Sequence, residues 1–231
     1  MDYLFNLQHI LEPMITEEKE RVRNLIWSTL EKNNLSPSAK PPYGRIPVFS
    51  GSTEAARMLR STEEWQNAEV IFSSPDSAQI KVREYALIDK KLLIMASPKL
   101  KDGFLLIDPF SIKGNEETAS TIKGAFKFGK KIHELTKLRF VLRNRRFREF
   151  PKVNLVIEGS VAVDKSGNRL GKGGGYGDRE ISELISEKAI TPSTPVVTTV
   201  HEIQIIGEVP TEKHDQKINM IVTPERVIRI N

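Results

Sequence analysis

Asn154–Lys188 reads NLVIEGSVAVDKSGNRLGKGGGYGDREISELISEK and indicates the fold class more clearly than any other part of the chain. Asn154–Val163 is mostly apolar, a composition typical of a strand that is buried on both faces. The glycine-rich loop that follows, Gly167–Arg179, interrupts regular structure, and the apolar positions of Arg179–Lys188 recur with helical spacing. A strand that leads through a glycine loop into a helix predicts an α/β fold with a largely parallel sheet.

The segments on either side of this stretch extend the same alternation of strands and helices. Helices are predicted at Thr16–Asn33, Ser52–Arg60, Ser77–Asp89 and Glu117–Phe128, with a short helix behind a Ser61-x-x-Glu64 capping box. Strands are predicted at Val70–Phe72, Leu92–Ala96, Phe104–Ile107, Pro195–Val200, Ile203–Ile206, Met220–Thr223 and Val227–Ile230. We therefore expect one α/β domain over residues 1–231, in which residues 1–15 are an N-terminal extension.

The composition limits the classes of protein to which the chain can belong. Its 35 Lys and Arg outnumber its 30 Asp and Glu, and the formal charge of +5 favours anionic partners such as nucleotides, polyglutamates or nucleic acid. The absence of cysteine excludes disulfides, thiolate nucleophiles and cysteine-ligated metal clusters, and it predicts a cytoplasmic protein. Apolar runs are too short for a membrane span, and Met1–Pro13 does not resemble a secretion leader, so we expect neither membrane insertion nor export.

The glycine-rich loop has the composition of a phosphate-binding loop. Glycines have no Cβ, so their backbone can turn sharply and bring several N–H groups to one anion. Arg169 and Lys172 add positive charge, and Asp178, at the start of the next helix, is placed to hold Mg²⁺. The loop matches neither a Walker loop nor a dinucleotide fingerprint, and a flexible hairpin or strand-to-helix turn is the alternative interpretation.

Lys19 and Arg23 are four residues apart on the first predicted helix, so both cations project from one face beside its apolar stripe. A solvated helix face is the ordinary explanation of such a pair. Two other motifs in the chain favour a functional explanation of this pair. They are the glycine-rich loop and the tail His214-Asp215, which precedes Ile221–Thr223.

These motifs, taken in the order Lys19-x-x-x-Arg23-x-x-x-Trp27, glycine-rich loop and tail, resemble the 5-formyltetrahydrofolate cyclo-ligase family, also called methenyltetrahydrofolate synthetases. The resemblance extends from about Glu17 to the C-terminus. Its most specific part is Asn168-Arg169-Leu170-Gly171-x-Gly-x-Gly-Tyr176-x-Asp178.

The resemblance implies a fold, a reaction and a set of ligands. The fold would be a three-layer α/β/α sandwich of the NagB/RpiA/CoA transferase-like type, present as a monomer or homodimer. The protein would be an ATP- and Mg²⁺-dependent enzyme. It would convert 5-formyltetrahydrofolate, or a related reduced pterin, to 5,10-methenyltetrahydrofolate with release of ADP and phosphate.

The resemblance also implies roles for individual residues. Four cations would bind ATP and serve catalysis: Lys19, Arg23, Arg169 and Lys172. The remaining ATP-binding positions would be Gly171, Gly173, Gly174, Gly175 and Tyr176. Tyr176 would also lie beside the folate pocket, Trp27 would belong either to the core or to that pocket, and Asp178 would associate with magnesium. We expect Asp215 to support the metal or the phosphate groups, whereas His214 has no assigned role.

Three departures separate this chain from most of the family. Gly177 stands where a second tyrosine is usual, Ser77 where a folate-contacting glutamate is expected, and Gly159-Ser160 where Pro-Gly usually precedes the loop. The combination is similar to the divergent branch called methenyltetrahydrofolate synthetase domain-containing proteins. The alternatives to a cyclo-ligase are a related nucleotide-binding protein with another substrate and an RNA-associated binding module.

Arg139–Phe150 is a separate candidate, with five arginines and three phenylalanines in twelve residues. Interleaved cations and aromatics can bind single-stranded nucleic acid. An amphipathic segment with solvated arginines is the preferred interpretation, and contact with an acidic substrate tail is a third.

Overall fold

The computed structural model of the chain describes residues 2–137, 141–142, 145–146 and 149–230. Half of the Arg139–Phe150 run lies outside the described residues, so its three interpretations stay predictions. In the described part of the chain, none of the helices combines the length and apolar character that a membrane crossing requires.

The helices and strands alternate along the chain. The helices are α1 (Asp2–Lys32), α2 (Ser52–Arg60), α3 (Glu63–Asn67), α4 (Ile80–Ile88), α5 (Glu116–Ala119), α6 (Ile122–Phe128), α7 (Ile132–Lys137) and α8 (Tyr176–Ser186). The strands are β1 (Val70–Ser73), β2 (Leu92–Ala96), β3 (Phe104–Ile107), β4 (Lys130–Lys131), β5 (Val141–Leu142), β6 (Arg145–Arg146), β7 (Leu155–Glu158), β8 (Ala162–Val163), β9 (Arg169–Leu170), β10 (Val196–Thr199), β11 (Met220–Val222) and β12 (Val227–Arg229).

Eight of the described strands form one sheet, in the order β12-β11-β10-β7-β1-β2-β3-β4. β7 pairs in parallel with β1 on one side and with β10 on the other. β1 in turn pairs in parallel with β2, and β10 pairs in parallel with β11. The outer pairs are antiparallel. The central strands are buried at every residue, as expected of parallel strands covered on both faces, and the predicted largely parallel sheet is confirmed.

Helices cover both faces of this sheet and make three layers. Val70 and Phe72 of β1 pack in one apolar cluster with residues of α7 and α8, whereas Ile71 packs in another with residues of α2 to α6. This division follows from the strand geometry, because successive side chains point to opposite faces. The α/β/α arrangement expected from the sequence is therefore confirmed.

The helix α1 lies over a third apolar cluster. Its residues Ile26, Trp27 and Leu30 pack there with Phe49 and Val161. The apolar stripe predicted for this helix consists of Val22, Leu25, Ile26 and Leu30, and it is confirmed except at Leu25, which is exposed. The helix begins at Asp2, upstream of the predicted cap, and Thr16 lies inside it. The division into one domain with an extension at residues 1–15 stays a prediction.

Local hydrogen bonds explain where the predicted boundaries are wrong. The expected helix Glu117–Phe128 is two helices, because the Thr121 side chain caps α6 by accepting from the Gly124 N–H. In the same way Thr62, not Ser61, caps α3.

Two predicted strands differ in the structure. The prediction of a strand at Ile203–Ile206 is wrong: Glu202–Gln204 is a 3₁₀ turn, because His201 and Gln204 form a capping box around it, and Ile205 makes only an isolated bridge to Val163. Asn154–Val163 breaks after Glu158, and its last two residues pair with β9 in a separate ribbon.

Candidate active site

A cavity of about 580 Å³ opens where β1 and β7 end. Three segments supply most of its lining: the proline-rich connector after α1, the residues that follow β1, and the glycine-rich loop with the start of α8. The end of β7, the turn after β2 and the start of α6 complete it. Clefts at the carboxyl ends of neighbouring parallel strands are the usual ligand sites of open α/β sheets. The cavity also has the size of a small-molecule site.

The glycine-rich loop leads into α8, whose N-terminus lies at this cavity. Gly173 and Gly175 have φ of 98° and 61°, which favour glycine, and Gly175 occupies the N-cap position of α8. Gly174–Asp178 line the cavity. Since a glycine N-cap offers no side-chain acceptor, the first N–H groups of α8 are available to an anion, and the helix dipole favours one.

Arg179 holds the loop in this shape from the following turn. Its guanidinium donates to the Gly174 carbonyl at 2.7 Å and lies over the Tyr176 ring at 4.6 Å. Tyr176 itself lines the cavity.

The two cations of α1 approach the loop from behind rather than from the cavity. Arg23 donates from Nε to the Gly171 carbonyl at 2.9 Å and lies beside Gly173. Lys19 contacts the C-terminal tail, with Nζ 2.6 Å from both Glu212 and Asp215. Both cations are buried, and neither lines the cavity. The structure thus brings the amino-terminal helix, the loop and the tail together, while direct ATP contact by these two cations stays a prediction.

Arg169 lies beneath the loop and joins strand to helix. Its side chain is 3% exposed, and it donates to the Gly159 carbonyl at 3.1 Å and to Asp178 Oδ1 at 2.8 Å. The same Asp178 oxygen accepts from the Gln216 N–H at 3.2 Å. In the described part of the chain, no hydrogen bond is made by the other oxygen, Oδ2. Since Asp178 lines the cavity, this free oxygen fits the predicted Mg²⁺.

Lys172 lines the cavity together with the buried Arg169. Its side chain is 36% exposed, and Nζ lies 2.7 Å from Asp76 Oδ1 in the segment after β1. Both residues line the cavity, so an anion bound there can compete with Asp76 for the ammonium group of Lys172.

Trp27 and Asp215 lie outside the cavity lining. Trp27 is 3% exposed and donates from its indole nitrogen to the carbonyl of Arg45, which does line the cavity. Asp215 accepts from Lys19 and from the Glu212 N–H. Glu212, His214 and Asp215 lie close enough together to hold a metal ion, but Lys19 already occupies the two carboxylates. His214 is largely exposed.

The cavity floor contains two buried acids, Glu158 at the end of β7 and Glu180 in α8. Burial raises the pKa of Glu158 to about 8, with the negative charges of Asp76 and Asp178 acting in the same direction against Arg169. Burial and the nearby Glu158 raise the pKa of Glu180 well above its usual range. Both acids were missed as site residues, although Glu158 is visible in the sequence as the single charge in an apolar strand.

The comparison with known proteins begins with a family model described as the 5-formyltetrahydrofolate cyclo-ligase family, which matches residues 15–224. The chain belongs to this family. The resemblance carried by the three sequence motifs is therefore confirmed.

Relatives of this cyclo-ligase family member include methenyltetrahydrofolate synthase domain-containing proteins. The protein from Bos taurus is 32% identical over 223 residues, which are 94% of this chain and 55% of that protein. The protein from Homo sapiens is 33% identical over 215 residues, 91% of this chain and 53% of that protein. The chain thus spans about half the length of the curated relatives it matches. The 5-formyltetrahydrofolate cyclo-ligase of Escherichia coli K12 is 33% identical over 76 residues, 33% of this chain and 39% of that protein.

A solved structure extends the likeness of this family member to the fold. The NMR structure of the Aquifex aeolicus 5,10-methenyltetrahydrofolate synthetase matches with a TM-score of 0.54 at 18% identity. The match covers 92% of this chain and 93% of that chain. At this identity the likeness establishes the fold alone.

Gly177, where the family resemblance predicts a second tyrosine, is closely packed. A Cβ at this position would lie 2.8 Å from Arg169 Nη2 and 2.9 Å from Glu158 Oε2. A larger residue would therefore have to displace the ends of these two buried side chains.

Arg83 is a third residue that sequence reasoning missed. It is 1% exposed and donates to the carbonyls of Ser74, Asp76 and Ser120 at 2.5 to 3.1 Å. Burial lowers its pKa to about 10, so it stays protonated at neutral pH. By binding the segment after β1, it positions the cavity wall that carries Asp76. Arg83 lies four residues before Leu87, so the two side chains share the buried face of α4. This spacing was the signal in the sequence that Arg83 is buried.

Replacement of Arg83 tests this positioning role. Arg83→Met removes three hydrogen bonds from a buried charged donor to backbone carbonyls, each worth about 1.5–3 kcal/mol, although the Asp76 carbonyl still accepts from the Gln79 N–H. We expect the free energy of unfolding, measured by urea denaturation, to fall by about 3 kcal/mol or more. Arg57→Met is the matched control, since Arg57 is 62% exposed, and should change stability by about 0.5 kcal/mol or less. Equal losses in the two variants would contradict the role.

The buried state of Glu158 predicts how stability depends on pH. Its folded pKa of about 8 lies above the ordinary value of 4.5, so the native state holds the proton more tightly than the unfolded chain. This stabilisation is fully present below about pH 4.5 and is lost as the pH rises towards 8.

Glu158→Gln removes this titration. Between about pH 5.5 and 8.5, the free energy of unfolding should fall less steeply in this variant than in the wild type. Glu208→Gln, at an exposed position, is the control and should follow the wild-type profile. Parallel profiles for all three proteins would refute the elevated pKa.

Proposed function

We propose that the protein is an ATP- and Mg²⁺-dependent cyclo-ligase that converts 5-formyltetrahydrofolate, or a related reduced pterin, to 5,10-methenyltetrahydrofolate with release of ADP and phosphate. The observation that supports it most directly is the start of α8. There, N–H groups without a side-chain cap open into a cavity that also receives Lys172. This arrangement suits a polyphosphate.

The side chains around the loop would divide the work of binding. The N–H groups of the loop and of α8 would hold phosphate oxygens. Lys172 would leave its ion pair with Asp76 and bind the γ-phosphate. Arg23 and Arg169 would keep the loop in shape through the Gly171 and Gly159 carbonyls. Asp178 would hold Mg²⁺ through its free oxygen. The ion, when bound, neutralises charge on the transferring phosphoryl group.

The proposed reaction needs little more than positioning and charge neutralisation. The formyl oxygen attacks the γ-phosphorus of ATP, and the bond from that phosphorus to the bridging oxygen breaks to release ADP. The neighbouring amine then attacks the formyl carbon and loses its proton, while the carbon–oxygen bond breaks and inorganic phosphate leaves. Since the substrate supplies both nucleophiles, the protein needs none, which agrees with a sequence without a Ser/His/Asp or Cys/His motif.

A related nucleotide-dependent protein with a different substrate is the second candidate. Gly177 and Ser77 replace a tyrosine and a glutamate associated with folate binding, and two buried acids face the same cavity. These changes alter the substrate side of the cavity and leave the phosphate side intact. Nucleic-acid binding, oligomeric state and a cytoplasmic location stay predictions.

A spectroscopic assay tests the proposal. Purified protein with MgATP and 5-formyltetrahydrofolate should develop the methenyl chromophore. Lys172→Ala should lower the rate by about 10²–10³, the usual effect of losing one donor to the transition state. It should also weaken thermal stabilisation by ATP. Lys165→Ala, at an exposed position outside the cavity lining, is the control and should behave as the wild type.

The outcomes separate the candidates. Stabilisation by ATP without the chromophore would support the second candidate and refute the cyclo-ligase. If Lys172→Ala and Lys165→Ala bind ATP equally well, the loop loses its proposed role. Arg169→Ala is a poorer probe, because the buried guanidinium also joins Gly159 to Asp178.

A further inference from the structure

The floor of the cavity contains polar atoms that lack partners. Glu158 is 1% exposed and Glu180 is 2% exposed, and both line the cavity. Among the described residues, neither Glu158 Oε1 nor Glu180 Oε2 has a hydrogen-bond partner. The same holds for Nε of Arg169, which also lines the cavity.

Buried polar atoms without partners are rare because they lose hydration and gain nothing in return. Three of them on one cavity floor therefore call for an explanation. All three residues line the cavity while these three atoms are themselves buried, so a ligand that presses into the floor can supply the missing partners. The two carboxyl oxygens are acceptors for N–H donors, and the Arg169 Nε is a donor for a carbonyl oxygen.

The glycine at position 177 keeps this floor open. A Cβ there would approach Glu158 Oε2 to 2.9 Å and Arg169 Nη2 to 2.8 Å, so a larger residue would compete with a ligand for this space. The same surface would accept a planar edge with two N–H donors beside a carbonyl. The 2-amino-4-oxo edge of a pyrimidine or pteridine ring has this arrangement.

Magnesium is the other ligand that carboxyl groups attract. The guanidinium of Arg169 lies in this group of acids, with Nη2 2.8 Å from Asp178. Its charge and that of the Mg²⁺ proposed at Asp178 would together oppose a further cation at Glu158 and Glu180. Glu158 is also close enough to Arg169 for a Cβ at position 177 to touch both. The charges favour N–H donors over a metal ion.

We propose that Glu158 and Glu180 bind the amino edge of a 2-amino-4-oxo heterocycle, with Arg169 Nε donating to its carbonyl oxygen. This inference rests on the proposed function, because it assigns the substrate side of the same cavity. It also explains how a chain without the usual second tyrosine and glutamate can select a pterin. The two acids are specificity-determining residues.

Two fluorescent probes test the assignment without any reaction. Pterin carries the 2-amino group, and lumazine carries an oxygen there. By fluorescence titration, the wild type should bind pterin about tenfold more tightly than lumazine, the effect of one strong hydrogen bond. The double variant Glu158→Gln/Glu180→Gln should bind both probes with affinities within about twofold of each other. Glu208→Gln should keep the preference, and thermal unfolding of each variant checks that it is folded.

The results separate this inference from the cyclo-ligase proposal. A wild type that binds neither probe, or binds both equally, overturns the inference, and so does a double variant that keeps the preference. Thermal stabilisation by MgCl₂ alone that disappears in the double variant would assign the floor to a cation and overturn it as well. A preference for pterin without formation of the chromophore would uphold the inference and refute the cyclo-ligase. Formation of the chromophore by a protein that does not prefer pterin would uphold the cyclo-ligase proposal and refute this inference.

Discussion

The buried guanidinium of Arg169 is the interaction on which the rest of the site depends. It bonds the carbonyl of Gly159, just after the central strand β7, and the carboxylate of Asp178, in the first turn of α8. The glycine-rich loop between these elements is thereby fixed at both ends. Since the loop supplies the N–H groups that face the cavity, the position of the proposed phosphate site follows from this one buried contact.

The two ends of the chain meet behind that loop. Arg23 of α1 bonds the loop at Gly171, and Lys19, one turn earlier, is held by Glu212 and Asp215 of the tail. Buried cations are stable only when they are paired, so these contacts fix the helix and the tail against the loop. Their effect on nucleotide binding would then be indirect, through the shape of the loop.

The substrate side of the cavity follows a different constraint. Gly177 lies against Glu158 and Arg169, so a larger residue at position 177 would have to displace the ends of these two side chains. Glu180 is buried on the same cavity floor. The floor beside the loop is therefore polar and closely packed around a glycine.

The sequence by itself determined the layered α/β fold, most strand positions, the loop and the family, because these depend on local periodicity and on motifs. It also indicated that Lys19, Arg23, Arg169 and Asp178 belong to one region. Only the tertiary structure decided which of them pair and which face the cavity. Burial is the physical reason. Arg169 and Asp178 are bound to each other, and Lys172 alone of the predicted cations reaches the cavity with its side chain partly exposed. Glu158, Glu180 and Arg83 gain importance only because the fold removes them from water.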